Sequence, residues 1–285
     1  MTSQASNPIL SDLPVNQLAD GLAGRERPGE GDKVLWLHGY TLDSSSWGDL
    51  WQRLPGWHHI GVDFPGHGAS GPLSEAGDLQ KLARRLGEYC LENEIRHIAA
   101  LSFGTITATQ IMIEFPDSFT SVVLSAPSLA GGRQEPDVAQ VYMQLFQLYH
   151  QHGPGKEMAD VWLACRVWDA VDQFPGLPEA LRTLVEKHSW DEMQSYAMRH
   201  FTQPAQTEES LKKVSTSLLV MIGEHEMAPF RESAEILQQS VAGSKIVELP
   251  GAAHLCLLQT PELAAKTIDQ HLRENAKNPP PASAS

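Results

Sequence analysis

A chain of 285 residues, with 41% hydrophobic and 20% charged residues, is long enough to bury one large core. Its formal net charge of −14 argues against binding to nucleic acid, whose phosphates need Lys and Arg, and against an anionic membrane surface. Its cysteines, Cys90, Cys165 and Cys256, are far apart and lack the spacing of zinc ligands. We therefore predict no metal site and a reducing compartment, with Cys90 and Cys256 as buried thiols. No cofactor is predicted, because the chemistry of the candidate residues described below needs none.

Neither end of the chain contributes to the predicted core. Residues 1–7 are polar and lack the basic region and apolar core of a signal peptide, and no apolar run approaches the ~18 residues that span a bilayer. We expect a cytoplasmic protein. Residues 1–25 are predicted to be irregular, because no clear strand hairpin precedes Lys33. The tail, residues 275–285, is rich in Pro, Ala and Ser and is predicted to be disordered.

Apolar strand-like runs alternate with helix-like segments along most of the chain. The predicted strands, in order, are 33–38, 59–64, 97–101, 121–125, 217–222 and 245–249. The predicted helices are 79–93, 106–115, 230–240 and 257–272. This alternation indicates an α/β protein with a mostly parallel central sheet and helices on both faces. In such sheets, sites form at the carboxyl ends of the strands.

One long segment interrupts the alternation. We predict a core formed by residues 26–130 and 212–274, and a helical cap, residues 131–211, that lies over the strand ends. Aromatic residues at helical spacing usually pack the core of their own segment, but a cap over a site needs some of them to face a cavity. The candidate substrate-binding residues are Gly39, Tyr142, Phe146, Trp162 and Trp168.

Ser102 is the candidate nucleophile. It follows the apolar run 97–101 and precedes a helix-compatible segment, with Gly104 two residues later. A serine at a sharp strand-to-helix corner is exposed to attack a carbonyl, and the usual pattern there is G-x-S-x-G. Ala100 takes the place of the first glycine and adds only a methyl group.

A serine nucleophile needs a base, and the base needs an acid that orients it. The candidate base is His254, which lies in a loop of small residues between a predicted strand and a predicted helix. The candidate acid is Glu226, just after the strand 217–222, and Glu224 is its nearest rival. The segment between Glu226 and His254 has room for one helix and one strand, so that their loops lie side by side.

The tetrahedral intermediate of acyl transfer needs two backbone N–H donors for its oxyanion. Phe103 directly follows the serine at a predicted helix start, where the first amides have no partner within the helix. The second donor is predicted in the loop that begins His38-Gly39-Tyr40, because Gly39 permits an unusual backbone geometry. The amide of Tyr40 is our choice.

These motifs together resemble the α/β-hydrolase fold family, in its capped branch that acts on small molecules. The resemblance covers roughly residues 33–128 and 215–273. It implies the order nucleophile, acid and histidine along the chain, and it departs from the family pattern in the glutamate at the acid position and in Ala100. The matching segments are LHGYTLDSSSW (37–47), DFPGHGAS (63–70), ALSFGT (100–105), IGEHEMAP (222–229) and PGAAH (250–254).

The function predicted from these residues is hydrolysis of an ester, lactone or related acyl bond of a medium-sized, partly apolar small molecule. Two alternatives stay open. The same scaffold supports carbon–carbon bond hydrolysis or a lyase or cyclase reaction, because a fold does not fix a reaction. The third possibility is a catalytically silent protein that binds a small molecule. We predict a small-molecule substrate as the partner, with no nucleic acid and no membrane; the oligomeric state is left open.

Overall fold

A mixed eight-stranded sheet lies at the centre of the fold. The computed structural model describes residues 9–276 except 20, 74–77, 196 and 204–205. The strand order is β1-β2-β4-β3-β5-β6-β7-β8. Strands β3 to β8 pair in parallel, whereas β1 and β2 form an antiparallel hairpin that joins β4. The strands are β1 (Val15–Ala19), β2 (Leu22–Arg27), β3 (Lys33–Leu37), β4 (His58–Val62), β5 (His97–Leu101), β6 (Ser121–Ser125), β7 (Ser217–Gly223) and β8 (Lys245–Leu249).

The hairpin corrects the prediction that residues 1–25 are irregular. Strand β1 is largely exposed, and Val15 retains 42% of its surface, so the segment carries little apolar signal of a buried strand. Gly24 in β2 lies where a Cβ would be 2.0 Å from the carbonyl oxygen of Gly61. Glycine therefore lets the hairpin approach β4 closely.

Helices cover both faces of the sheet. The four predicted helices form, although the last is divided in two at Thr260, because Thr260 leaves the helical conformation and Pro261 starts a new helix. The helices are α1 (Gly48–Gln52), α2 (Leu79–Glu92), α3 (Phe103–Glu114), α4 (Pro136–His152), α5 (Lys156–Leu163), α6 (Leu177–Lys187), α7 (Ala197–Thr202), α8 (Glu208–Leu211), α9 (Ala228–Ser240), α10 (Cys256–Gln259) and α11 (Pro261–Ala276). Short 3₁₀ turns lie at Ser44–Trp47, Arg166–Trp168, Val171–Gln173 and Asp191–Gln194.

Each central strand supplies side chains to two cores. Along β3, Val34 and Trp36 pack into one core, while Leu35 and Leu37 pack into the other. Because successive side chains of a strand point to opposite faces, a strand covered on both sides must be apolar throughout. This explains the continuous apolar runs of the sequence and confirms the predicted fold class.

Helices α4 to α8 form a helical insertion between β6 and β7, over residues 136–211. The two strands nevertheless pair directly, with Ser121 opposite Ser217. The predicted domain boundaries remain predictions. The predicted tail begins inside α11, and its residues 277–285 lie outside the described residues. In the part of the chain that the structure describes, no helix has the length and apolar character needed to cross a membrane.

Candidate active site

Ser102 occupies the corner between β5 and α3. Its backbone has φ 52° and ψ −118°, a conformation that costs energy for any residue other than glycine and is held by its surroundings. One such contact is the hydrogen bond that the Ser102 amide donates to the Ser125 carbonyl oxygen, at 2.9 Å. Gly104 packs so tightly on β3 that a Cβ there would lie 2.3 Å from the carbonyl oxygen of Leu37.

His254 lies in the loop that follows β8, and its ring reaches the serine. The distance from Ser102 Oγ to His254 Nε2 is 2.7 Å, within hydrogen-bond range. The ring is buried. The loop is held against helix α10, because the Ala253 amide donates to Gln259 Oε1 at 2.8 Å. The Phe230 ring packs against the imidazole, with 4.3 Å between the ring centroids.

Glu226, in the loop after β7, contacts the other nitrogen of the imidazole. Its Oε1 and Oε2 atoms lie 3.0 Å and 3.3 Å from His254 Nδ1, and its side chain is fully buried. Glu224, the rival acid, is exposed and accepts a hydrogen bond from the Gly251 amide at 2.8 Å. Of the two carboxylates that the sequence leaves open, the structure therefore brings Glu226 to the histidine.

The predicted oxyanion donors lie on two segments beside Ser102. Phe103 is the first residue of α3, where amides lack partners within the helix. A Cβ built on Gly39 would lie 3.6 Å from the Ser102 Cβ, so the segment Gly39–Leu42 passes directly beside the serine. We call this segment the oxyanion loop. It is closed by a hydrogen bond from the Leu42 amide to the Gly39 carbonyl oxygen, at 3.2 Å.

The predicted aromatic binding residues divide into two sets. Trp162 and Tyr142 lie beside Tyr40, with ring-centroid distances of 5.3 Å and 6.3 Å, and Trp168 packs behind Trp162 at 6.0 Å. Phe146 instead packs on His150 of its own helix, with 4.4 Å between the ring centroids. The contacts thus bring Tyr142 and Trp162 to the oxyanion loop, with Trp168 one layer behind, and substrate contact by any of the four stays a prediction.

A buried polar cluster beside the oxyanion loop was missed from the sequence. Glu192 accepts hydrogen bonds from the Tyr40 hydroxyl and from His188 Nε2, the latter at 2.9 Å. Burial works to raise the pKa of Glu192, but the hydrogen bonds from His188 and Tyr40 hold that pKa below its usual value. His67 lies 4.7 Å from His188 between ring centroids, and burial lowers the pKa of His67 well below its usual value.

The cluster joins the cap to the core, because His188 and Glu192 belong to the insertion and Tyr40 and His67 do not. Within the described residues, no group of three or more His, Cys, Asp or Glu side chains could hold a metal ion. The three cysteines are free and buried, and burial raises the pKa of the Cys256 thiol to about 12. Cys90 and Cys256 are thus buried thiols, as predicted.

Comparison with known proteins identifies the class of protein that this fold and site define. A family model described as the alpha/beta hydrolase family matches residues 34–267. The match spans more than half of the chain, and the chain therefore belongs to the alpha/beta hydrolase family. The resemblance read from the motifs of the sequence is confirmed.

Curated relatives of the chain include lipases and esterases. Monoacylglycerol lipase abhd6-A of Xenopus laevis is 22% identical over 267 residues, which cover 87% of this chain and 77% of the relative. A pimeloyl-acyl-carrier-protein methyl ester esterase of Neisseria meningitidis is 24% identical over 253 residues, which cover 82% of this chain and 90% of the relative.

Solved structures show the same fold. MenH from S. aureus superposes with a TM-score of 0.75 at 16% identity, covering 88% of this chain and 98% of that chain. The enol-lactonase from Burkholderia xenovorans LB400 has a TM-score of 0.75 at 19% identity, covering 91% of this chain and 100% of that chain. At these identities the likeness establishes the fold alone.

Proposed function

We propose that the protein is a serine hydrolase that cleaves an ester, lactone or related acyl bond of a medium-sized, partly apolar small molecule. The observation that carries the proposal is the continuous hydrogen-bonded chain from the Glu226 carboxylate through the His254 imidazole to the Ser102 hydroxyl. A nucleophile hydrogen-bonded to a base, which is in turn oriented by an acid, is the arrangement that activates serine in acyl transfer.

The proposed reaction begins when Ser102 Oγ attacks the substrate carbonyl carbon and passes its proton to His254 Nε2. Glu226 stabilises the imidazolium through Nδ1, and the amides of Tyr40 and Phe103 donate to the oxyanion. Collapse of the intermediate expels the alcohol, which takes the proton from His254 and leaves an acyl group on Ser102. A water molecule, deprotonated by His254, then attacks the acyl carbon, and Ser102 recovers its proton as the acid leaves.

The substrate class is supported by the surroundings of the oxyanion loop. Tyr142 and Trp162 bring aromatic rings from the cap to Tyr40, with Trp168 packed behind Trp162, and apolar surroundings with a few polar groups are the usual form of a small-molecule site. The names of the relatives given above point to ester and lactone substrates, and we carry this chemistry to the present chain as part of the proposal.

The test is intact-mass analysis after treatment with a fluorophosphonate, which phosphonylates activated serines. We expect one adduct on the wild type and none on Ser102→Ala. The matched control is Ser215→Ala, which removes an exposed hydroxyl just before β7, at the opposite end of that strand from Glu226, and keeps the adduct.

The remaining outcomes separate the alternatives. An adduct on the wild type without turnover of any ester, lactone or thioester would favour carbon–carbon bond cleavage or a lyase or cyclase reaction by the same residues. No adduct on a folded wild type would refute the activated serine and favour a protein that only binds its ligand.

A further inference from the structure

The helical insertion contacts the oxyanion loop through two buried hydrogen bonds. Trp162 Nε1 donates to Thr41 Oγ1 at 2.8 Å. The Tyr40 hydroxyl donates to Glu192 Oε1. The predicted amide donor Tyr40 and the residue that follows it, Thr41, are therefore both tied to the cap.

Glu192 is a buried carboxylate that does not belong to the hydrogen-bonded chain of Ser102, His254 and Glu226. Its side chain has no exposed surface, and its Oε1 atom is shared between the Tyr40 hydroxyl and His188 Nε2. A buried carboxylate is costly unless it is hydrogen-bonded, and bonds to a charged acceptor are shorter and stronger than neutral ones. Both donors are thus held in a fixed direction by the same oxygen.

The oxyanion loop has a backbone that needs such support. Thr41 is a β-branched residue with φ 61°, in the left-handed region that such residues rarely adopt. Its hydroxyl donates to the Tyr40 carbonyl oxygen at 2.7 Å while it accepts from Trp162. Contacts at the Tyr40 carbonyl and at the Tyr40 hydroxyl therefore hold the peptide between Tyr40 and Thr41 and the Tyr40 side chain.

Aromatic packing surrounds the Tyr40 ring on the side of the cap. The rings of Trp162, His188 and Trp190 lie 5.3 Å, 5.7 Å and 6.4 Å from it, all close to edge-on. Such packing limits where the ring can lie. Contacts between aromatic edges do not, however, fix the direction of the hydroxyl or the position of the oxyanion loop relative to the cap. The hydrogen bond to Glu192 gives the Tyr40 hydroxyl its direction.

We propose that Glu192 is a positioning residue for the oxyanion loop, which it holds through the Tyr40 hydroxyl so that the Tyr40 amide points at the oxyanion. Glu192 acts through Tyr40 and does not touch the substrate. Because the inference rests on the proposed function, it is tested only after fluorophosphonate labelling and ester turnover of the wild type are established.

The test compares Tyr40→Phe, Glu192→Met and Glu192→Gln with the wild type. Tyr40→Phe and Glu192→Met remove the hydrogen bond from either side, whereas Glu192→Gln keeps an acceptor. The matched control is Tyr149→Phe, which removes the hydroxyl of a cap tyrosine that packs on its neighbour His150. Turnover of p-nitrophenyl butyrate is measured as kcat and KM, and competent sites are counted by exhaustive fluorophosphonate labelling.

For Tyr40→Phe and Glu192→Met we expect kcat per labelled site to fall about 10- to 100-fold with KM unchanged, because a misplaced oxyanion donor weakens transition-state binding alone. Glu192→Gln recovers part of the loss. The double variant Tyr40→Phe with Glu192→Met falls no further than the more impaired single variant, because both changes break the same hydrogen bond between Tyr40 and Glu192. Tyr149→Phe retains the wild-type kcat.

The inference is overturned if the two bond-breaking variants keep the wild-type kcat per labelled site, or if their losses add in the double variant. It is equally overturned if only the labelled fraction falls, since this is the result of a purely structural role. A wild type that neither labels nor turns over the ester contradicts the proposed function instead, so the two failures are distinct.

Discussion

The close approach of Gly104 to β3 gives a prediction whose size can be worked from the structure. A Cβ at this position would lie 2.3 Å from the Leu37 carbonyl oxygen and 2.7 Å from the His38 carbonyl oxygen, whereas ordinary contact begins near 3.4 Å. Both obstacles are backbone atoms, which cannot rotate away. In Gly104→Ala, the start of α3 must therefore move about 1 Å away from β3.

Two effects follow from a displacement of this size. Forcing an extra methyl group into a packed core costs about 1–3 kcal/mol in the free energy of unfolding. Ser102 lies two residues before the substitution, and a misplacement of about 1 Å at the reacting groups costs about 100-fold in rate. We expect Gly104→Ala to fold, to unfold at lower denaturant concentration and to lose about 100-fold in kcat/KM.

The assay pairs urea unfolding with p-nitrophenyl ester turnover. The control is Gly155→Ala, at a position with an extended backbone and no atom within 4 Å of an added Cβ. It should leave both quantities at the wild-type level. Wild-type activity in Gly104→Ala, or an equal loss in both variants, would refute the argument from contact with β3.

Three further predictions concern the acid, the response to pH and the support of the histidine loop. Glu226→Gln should lower kcat about ten-thousandfold, whereas Glu224→Gln, whose carboxylate accepts from the Gly251 amide, should change it little; equal losses would contradict the assignment. Burial lowers the pKa of His59 to about 4 in the folded protein, whereas the unfolded chain takes up this proton near its usual pKa of about 6.5, so stability falls as pH drops from 6.5 towards 4. His59 should contribute a fall of about 2 kcal/mol in the free energy of unfolding from pH 7 to pH 5, in addition to the fall caused by the buried His67, and a flat profile in urea titrations would exclude this. Gln259→Leu leaves the Ala253 amide without its acceptor and should lower the free energy of unfolding by about 1–3 kcal/mol in the same titration. An unchanged midpoint would mean that this hydrogen bond does not stabilise the histidine loop.

The fold could be predicted wherever burial on both faces leaves a continuous apolar run. Leu35 and Trp36 face different cores, so β3 is apolar throughout and easily recognised. The hairpin of β1 and β2 has an exposed edge and no such run, and it was missed. The break before Pro261 was visible in the sequence, but the apolar spacing on both sides predicted one helix.

Part of the candidate site could be predicted because its residues follow recognisable strands. Ser102, Glu226 and His254 each follow a strand, and the carboxyl ends of parallel strands meet at one edge of the sheet. Glu192 follows no strand and lies in a 3₁₀ turn of the insertion, 152 residues from its partner Tyr40. Only the packing of the cap on the core brings these two residues together, and no local sequence pattern predicts this contact.

The direct pairing of β6 with β7 across the whole insertion has a consequence for how activity is gained during folding. The strands that support Ser102, β5 and β6, are close in sequence. Glu226 and His254 reach the site only after β6 pairs with β7, which brings Ser121 opposite Ser217 from the two ends of the insertion. Closing so long a loop is slow compared with local pairing. In a refolding experiment, we expect helical structure to return before the serine regains its reactivity towards a fluorophosphonate.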